Sequence, residues 1–438
     1  MSILFAKVKA VTMDPNRPEL KESFVLVEGG EIVSISNARP EGEFDRVIDC
    51  TGKVMMPGLI NTHTHVPMTL MRGYGGGHDL HSWLHDFIFP AEAKLDDRAV
   101  AAATGLGLAE MIASGVTCIT DMYMRTGVIA KQVVKAGISA NLSCGGVYFG
   151  DPAEFDADKC GDCTRQKELT EQWHGYNDGQ ILIDASIHGE YTSSAPLWQW
   201  MADFAQSHGQ RMHVHVSETR SEHEDSLSRH GKTPVQILDQ YGAWENGGVA
   251  AHCVYTTPED WAILAAKGVS VAHNPYSNLK LGSGIAPVPA MWKAGVNVSL
   301  GTDGVSSHNS TDMFADIKLA AILHNGVACD PMAMTAQQAL EMATVNGAKA
   351  LGRNTGVIAP GKIADLILLD FTAPNLFPCH DVKENLVFSA HGSNVVMNMA
   401  RGKIIYENGE FLTLNLKQIQ SEVQAYAMPK VFGLAALR

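Results

Sequence analysis

Eight short apolar runs alternate along residues 58–355 with segments whose apolar positions recur every three or four residues. Continuous apolar runs of this length are typical of strands buried on both faces, and the other spacing is typical of amphipathic helices. The runs are GLINTHTH, GVTCITDM, GISANLSCG, ILIDASIH, RMHVHVSE, GVAAHCV, GVSVAHNP and VNVSLGTD. Eight strand–helix alternations predict an α/β fold, a parallel (β/α)8 TIM barrel over residues 58–355.

A doubly wound open sheet is the alternative arrangement of the same alternation. Such sheets normally carry a glycine-rich phosphate-binding turn after the first strand. Here the first strand ends in the letters HTH, at residues 63–65. The barrel is therefore the favoured prediction.

The two ends of the chain share a different pattern. Residues 1–57 and 356–412 contain short β-type runs divided by Gly, Pro and Asn. Neither end has enough strands to bury a sheet face alone, so we expect one composite β-sandwich domain built from both. Residues 413–438 are predicted to form a C-terminal helical tail, which packs on the surface or contributes to a homo-oligomer.

Composition narrows the classes of partner. The chain has 438 residues, 45% of them hydrophobic, and a net charge of −14. An acidic balance disfavours nucleic acid and anionic membranes as partners and suits a small-molecule substrate. The N-terminus lacks the pattern of a signal peptide and no apolar stretch is long enough to cross a bilayer, so a cytoplasmic location is expected.

The eight cysteines show no disulfide framework, which fits a reducing compartment. Cys160 and Cys163 form the one CxxC pair. Because no second pair follows it, an ordinary loop is favoured over a structural metal site or a redox motif.

Histidines at the strand ends carry the candidate chemistry. His63 and His65 are two residues apart on the first strand, so their side chains project from the same face. At the carboxyl end of a barrel strand that direction leads into the active-site mouth. Taken alone, one HxH pair is as compatible with structural histidines as with metal ligands. Four other strands also end in ligand-type residues: His188, His215, His252 and Asp303.

The fifth strand, RMHVHVSE, adds a ligand and an acid–base group. His215 lies nearer the strand end than His213, which is expected to be a buried supporting residue. Glu218 follows three residues later, where a carboxylate can take a proton from water without binding the metal itself.

Together His63, His65, His215 and Asp303 predict a site for one divalent cation with an open position for water. Zn²⁺ suits three imidazoles and a carboxylate, and Fe²⁺ or Mn²⁺ could use the same ligands. His252 is either a further ligand or, as favoured here, a catalytic residue that hydrogen-bonds the attacking oxygen or the adduct.

The set PGLINTHTH, HVHVSE, AAHCV, HNPYSNLKLGSG, LGTDG and VIAPGKIADLILLD resembles the amidohydrolase superfamily, in its branch of aminohydrolases acting on nitrogen heterocycles. The resemblance runs over essentially the whole chain and implies hydrolytic attack at a ring carbon with loss of ammonia. Binuclear members usually carry a carboxylated lysine where this chain has His188, so one metal ion is implied. The alternatives are hydrolysis of a chloro- or methylthio-substituted ring, as in triazine hydrolases, a guanine deaminase-like activity, and a non-catalytic scaffold.

Within that branch, WLHDFIFPAE, IHGEYTSS and SSHNSTDMF resemble deaminases of 5′-methylthioadenosine and S-adenosylhomocysteine. The resemblance implies that Glu92 binds ribose hydroxyls and that His188 contacts the purine or ribose. It also implies that Glu218, His252 and Asp303 surround the amino-bearing carbon. Those deaminases have arginines after strand three that hold an amino-acid carboxylate, whereas this chain has Cys144 there.

Each substrate contact has a simpler interpretation. Glu92 could begin a solvated charged helix, AEAKLDDR. Trp83 and Phe87, four residues apart, line a nucleoside pocket or pack in the core. His308 and Asn309 could cap the next helix.

Overall fold

The computed structural model describes residues 1–78 and 80–433. The strands are β1 (Ser2–Val11), β2 (Glu19–Glu28), β3 (Glu31–Ser36), β4 (Arg46–Asp49), β5 (Lys53–Pro57), β6 (Leu59–Thr64), β7 (Val116–Met122), β8 (Ser139–Ser143), β9 (Ile181–Ile183), β10 (Ala185–Gly189), β11 (Met212–Val216), β12 (Gly248–His252), β13 (Val269–His273), β14 (Asn297–Leu300), β15 (Leu366–Asp370), β16 (Val395–Ala400), β17 (Lys403–Glu407) and β18 (Glu410–Phe411).

The α-helices are α1 (Leu80–Trp83), α2 (Phe89–Glu92), α3 (Asp97–Ala113), α4 (Thr126–Ala136), α5 (Gly161–Trp173), α6 (Tyr176–Gly179), α7 (Ala195–His208), α8 (Arg220–His230), α9 (Pro234–Gln240), α10 (Pro258–Lys267), α11 (Pro275–Lys280), α12 (Val288–Lys293), α13 (Val305–His308), α14 (Met313–Ala328), α15 (Ala336–Met342), α16 (Val345–Leu351), α17 (Val382–Phe388), α18 (Leu416–Glu422) and α19 (Met428–Phe432). Two π turns, Leu84–Ile88 and Val423–Ala427, join α1 to α2 and α18 to α19. Short 3-10 turns are Val66–Met71, Pro152–Glu154, Glu190–Thr192 and Gly392–Asn394.

The middle of the chain forms two parallel sheets, which confirms the α/β class. Their strand orders are β6-β7-β8-β9 and β10-β11-β12-β13-β14. The predicted fourth strand is divided in two, because Asp184 interrupts it between β9 and β10. The buried Asp184 carboxylate accepts hydrogen bonds from Asn141 Nδ2 at 3.1 and 3.0 Å.

The last of these strands lies against the first. Thr62 Oγ1 donates to Leu300 O at 2.8 Å, and Asp303 N donates to His63 O at 2.9 Å. A Cβ atom on Gly301 would lie 2.8 Å from His63 Cβ, so glycine permits this close approach. The contact brings Asp303 beside His63 although 240 residues of sequence separate them.

Strands from both chain ends share one nine-stranded sheet, ordered β18-β17-β16-β15-β5-β1-β2-β3 with β4 paired to β1. The junction between the ends is antiparallel, with Leu368 opposite Met55. A separate cluster of buried apolar side chains, including Phe5, Val25 and Met399, packs on this sheet.

The C-terminal helical segment lies on α3, where Ile419 packs over Gly105. In residues 1–78 and 80–433, no helix is both long and apolar enough to cross a membrane. All eight cysteines are free, and Cys160 is the N-cap of α5.

Two of the simpler interpretations are wrong. Glu92 does not begin a charged helix, because α2 ends at Glu92 and α3 starts after its cap Asp96. Asp312 caps α14 by accepting from Phe314 N, so His308 and Asn309 do not cap that helix.

Candidate functional site

The carboxyl ends of the parallel strands open into a cavity of about 520 Å³. Eight of the residues predicted from the sequence line it: His65, Trp83, Glu92, His188, His215, Glu218, His252 and Asp303. His63 lies next to them and is fully buried. The structure therefore brings the whole predicted set together.

The imidazoles of His65 and His215 face each other, with their Nε2 atoms 3.2 Å apart. His65 Nδ1 donates to Met122 O at 2.6 Å, and His215 Nδ1 donates to His188 O at 2.7 Å. A carbonyl can only accept, so each Nδ1 carries a proton and each Nε2 is directed at the other ring. Two Nε2 atoms held this close by hydrogen bonds at Nδ1 are positioned to bind one cation between them.

His63 is oriented by a buried chain of hydrogen bonds. Its Nδ1 lies 2.9 Å from His213 Nε2, and His213 Nδ1 lies 3.1 Å from Ser143 Oγ. His63 Nε2 is buried and has no hydrogen-bond partner among the described residues. This atom is thus free to bind a metal, and His213 takes the supporting position expected from the sequence.

Asp303 supplies the carboxylate. Its Oδ1 lies 3.5 Å from His63 Nε2 and 3.2 Å from His65 Nε2. Its Oδ2 accepts from Ser277 Oγ at 2.5 Å and from Ser307 Oγ at 3.0 Å. The two serines fix the carboxylate so that Oδ1 faces the histidines.

This donor set fits a divalent cation. The facing nitrogen atoms of His63, His215 and His252 lie within 4.8 Å of one another, as do the ligand atoms of His63, His65 and Asp303. Imidazoles oriented by second hydrogen bonds, together with one carboxylate, are typical of mononuclear metal centres.

The electrostatics of the cluster agree with this interpretation. Burial lowers the pKa of His63 to about 3, so that ring is neutral. Burial also opposes the charged form of His65, but the hydrogen bond and charge of Asp303 outweigh it and raise the His65 pKa to about 9. Such a buried cluster attracts positive charge, which a proton or a metal ion can supply.

Glu218 and His252 form the other side of the cluster. Glu218 Oε2 lies 3.8 Å from His252 Nε2, and Glu218 Oε1 accepts from Ser283 Oγ at 3.2 Å. Burial raises the pKa of the Glu218 carboxyl, which suits a group that takes and returns a proton. His252 Nδ1 lies 2.8 Å from Asn278 Oδ1, so its Nε2 is directed at Glu218.

Three residues at these strand ends have a strained backbone. Ser217, His252 and Asp303 have φ values of 47°, 73° and 62°. Non-glycine residues rarely adopt this left-handed conformation, and here it fixes the direction of His252 and Asp303 toward the cavity.

The outer wall of the cavity is largely apolar. Trp83 is buried and lines it, whereas Phe87 packs behind it against Tyr74. Glu92 is half-buried and lines the cavity, and burial raises its pKa. The sequence left both Trp83 and Phe87 open between pocket and core; Trp83 both lines the cavity and packs in the core, whereas Phe87 is only partly buried and does not line the cavity.

Arg165 and Cys144 also line the cavity. The Arg165 guanidinium is paired with the Asp162 carboxylate, which in turn accepts from Val147 N at 2.8 Å. Burial raises the pKa of the Cys144 thiol to about 11, so the thiol is neutral.

Sequence reasoning missed the residues that orient the site. These are Asn278 for His252, Ser283 for Glu218, and Ser277 and Ser307 for Asp303. Three of them, Ser277, Asn278 and Ser283, lie within the stretch HNPYSNLKLGSG. Its density of Ser and Asn directly after a strand end was the available signal.

A strained, buried cluster of histidines and one aspartate at the ends of parallel strands defines a metal-dependent hydrolase site. Residues 54–405 match the amidohydrolase family, and the chain belongs to it. It is 40% identical over 425 residues to a 5′-deoxyadenosine deaminase of Methanosarcina mazei, covering 97% of each chain. It is 42% identical over 381 residues to a 5-methylthioadenosine/S-adenosylhomocysteine deaminase of Moorella thermoacetica, covering 86% of this chain and 88% of the relative.

Solved structures give the same fold. An adenosine deaminase from Xanthomonas campestris with bound zinc superposes with a TM-score of 0.93 at 32% identity, covering 99% of both chains. An atrazine chlorohydrolase from Arthrobacter aurescens complexed with zinc has a TM-score of 0.89 at 24% identity, covering 97% of this chain and 99% of the other. The second likeness is one of fold alone.

Proposed function

We propose that this chain is a metal-dependent aminohydrolase that removes the amino group of an adenosine-type nucleoside as ammonia. Relatives at about 40% identity over nearly the full chain carry this activity in their names. The observation that carries the proposal is the position of Glu218, whose carboxylate lies 3.8 Å from His252 beside the histidine–aspartate cluster.

His63, His65, His215 and Asp303 would hold one divalent cation, and Zn²⁺ suits their chemistry best. When bound, the cation supplies Lewis-acid activation of water. Glu218 takes a proton from the attacking water and delivers it to a ring nitrogen. His252 and Asp303 then stabilise the tetrahedral adduct by hydrogen bonding, and a further proton transfer releases ammonia.

The substrate binds along the apolar wall. Trp83 packs on the nucleoside, Glu92 accepts hydrogen bonds from ribose hydroxyls, and His188 contacts the purine or ribose. A cavity of about 520 Å³ has room for a nucleoside. Because Asp162 neutralises Arg165, the site favours a small uncharged 5′ group, as in 5′-deoxyadenosine and 5′-methylthioadenosine, over the charged tail of S-adenosylhomocysteine.

For the architecture, the two parallel sheets are proposed to be halves of one (β/α)8 barrel over residues 58–355, supported by the hydrogen bonds between β14 and β6. Residues 1–57 and 356–412 form the composite β-sandwich, and 413–438 the tail. The enzyme acts in the cytoplasm on a small molecule, without nucleic acid or membrane partners, and could form a homo-oligomer.

An ammonia-release screen tests the function. Adenosine, 5′-deoxyadenosine, 5′-methylthioadenosine and S-adenosylhomocysteine are compared with guanine and cytosine at equal concentrations. We expect the highest kcat/KM for the 5′-deoxy and 5′-methylthio compounds and the inosine-type product from each. Turnover of guanine alone, or release of methanethiol without ammonia, would reject the proposal.

A further inference from the structure

One wall of the cavity comes from a single helical segment, residues 80–92, which we call the wall helix. It runs from α1 through the π turn to α2. The wall helix supplies six of the lining side chains: Leu80, Trp83, Leu84, Ile88, Phe89 and Glu92. Its position therefore decides the shape of the apolar half of the cavity.

The loop before the wall helix packs against the helix on the side of Phe87. The rings of Tyr74 and Phe87 are 5.7 Å apart in an edge-to-face arrangement. A Cβ atom on Gly75 would lie 2.8 Å from Phe87 Cγ and 3.2 Å from Trp83 Cδ1, so the backbone touches both side chains. A displacement of Tyr74 and Gly75 would consequently reach Trp83, which lines the cavity.

The C-terminal helix holds this loop in turn. The ring of Phe432, the last residue of α19, lies 4.8 Å from the ring of Tyr74. Helix α19 also contacts α2, so the tail meets the last turn of the wall helix as well.

The tail is itself anchored at the start of α3. The Tyr426 hydroxyl donates to the Asp96 carboxylate, and Arg98 Nε donates to Glu422 Oε2 at 2.8 Å. The Arg98 guanidinium lies 4.0 Å above the Tyr426 ring. These contacts attach the helical segment that carries Phe432 to the start of α3 and so fix the position of Phe432.

We propose that Phe432 is a positioning residue for the substrate cavity, acting through Tyr74 to hold the wall helix where Trp83 and Glu92 meet the nucleoside. This inference rests on the proposed function for its kinetic consequence. Phe432 is only partly buried and packs at the edge of the core, at the end of the last helix among the described residues. Its effect should appear in substrate binding more than in folding.

The kinetic test uses Phe432→Ala in the full chain with its metal. One lost aromatic contact predicts a KM raised about three- to ten-fold, with kcat and metal content close to those of the parent protein. Phe432→Tyr, which keeps the ring, should restore the parent KM. Tyr74→Ala should reproduce the rise, and the double variant should add nothing further. An unchanged KM, or fully additive effects, overturns the proposal.

A second readout does not depend on activity. Hydrogen–deuterium exchange of residues 80–92 should become faster in Phe432→Ala and in Tyr74→Ala. Phe377→Ala removes an exposed ring, 72% accessible, from the loop after β15 and serves as the matched control with unchanged exchange. If exchange stays at the parent rate in both variants, the contact between Phe432 and Tyr74 does not hold the wall helix and the proposal is rejected. Faster exchange without any nucleoside turnover keeps the contact and rejects the proposed function instead.

Discussion

Glu222 Oε2 accepts a hydrogen bond from the backbone N–H of Glu218 at 2.7 Å. Its Oε1 accepts from the N–H of Ser217 at the same distance. Ser217 has a φ of 47°, which is strained for a residue other than glycine. The Glu222 carboxylate, in the first turn of α8, therefore stabilises a strained turn at the end of β11. This turn directs the Glu218 side chain into the cavity.

Replacing Glu222 with Ala should destabilise the fold, because two buried N–H groups lose their acceptor. We expect a loss of about 2–4 kcal/mol in the free energy of unfolding, measured by urea denaturation. Glu224→Ala, on the same helix but exposed, is the control and should change this free energy by less than about 0.5 kcal/mol. Equal effects of the two substitutions would contradict the role given to Glu222.

Replacing Glu218 with Gln should remove the acid–base group while keeping its size. We expect kcat to fall about 10²–10⁴-fold, because the amide cannot take the proton. Bound metal, measured by elemental analysis of the purified variant, should stay at the parent level. Loss of metal would instead make Glu218 a ligand.

Removing the metal should abolish activity and lower the melting temperature. Chelation followed by dialysis tests this, with Zn²⁺, Fe²⁺ and Mn²⁺ added back separately to identify the best cofactor. His65→Ala and His215→Ala should each lose bound metal, since each removes an Nε2 donor. His208→Ala, at an exposed helix end, is the control. A chelated protein with full activity would refute the metal site.

The activity should show an acidic limb that reports on Glu218. Burial raises the pKa of its carboxyl, and the base must be deprotonated to act. The raised pKa therefore shifts the acidic limb of the kcat/KM profile to a higher pH, above the ordinary glutamate pKa of about 4.3. The profile is measured with metal content checked at each pH. A limb at or below 4.3 would speak against a buried base.

The strand ends were predictable because the pattern is local. A buried parallel strand is a short apolar run, and a ligand at its carboxyl end is read directly from the next residues. His63, His65, His215, His252 and Asp303 were all found in this way.

The supporting contacts were not predictable, since they join distant segments. Nothing near Tyr74 in the sequence indicates Phe432, and nothing near Glu218 indicates Ser283. The break at Asp184 was also missed, because its neighbours are as apolar as those of an unbroken strand. The alternative interpretation of Glu92 as the start of a charged helix was wrong, since its charged neighbours carry no sign of the turn that separates α2 from α3.

Glu92→Gln should weaken binding of the ribose specifically. The residue lines the cavity and is half-buried, so a hydrogen bond to its carboxylate is of the charged kind, worth about 1.5–3 kcal/mol. We expect KM for the best ribonucleoside to rise about ten-fold or more, with kcat changed less. The 2′,3′-dideoxy analogue, which has no hydroxyls to offer, should show the same KM with both proteins. An equal rise for the two substrates would mean that Glu92 shapes the wall and does not bind the sugar.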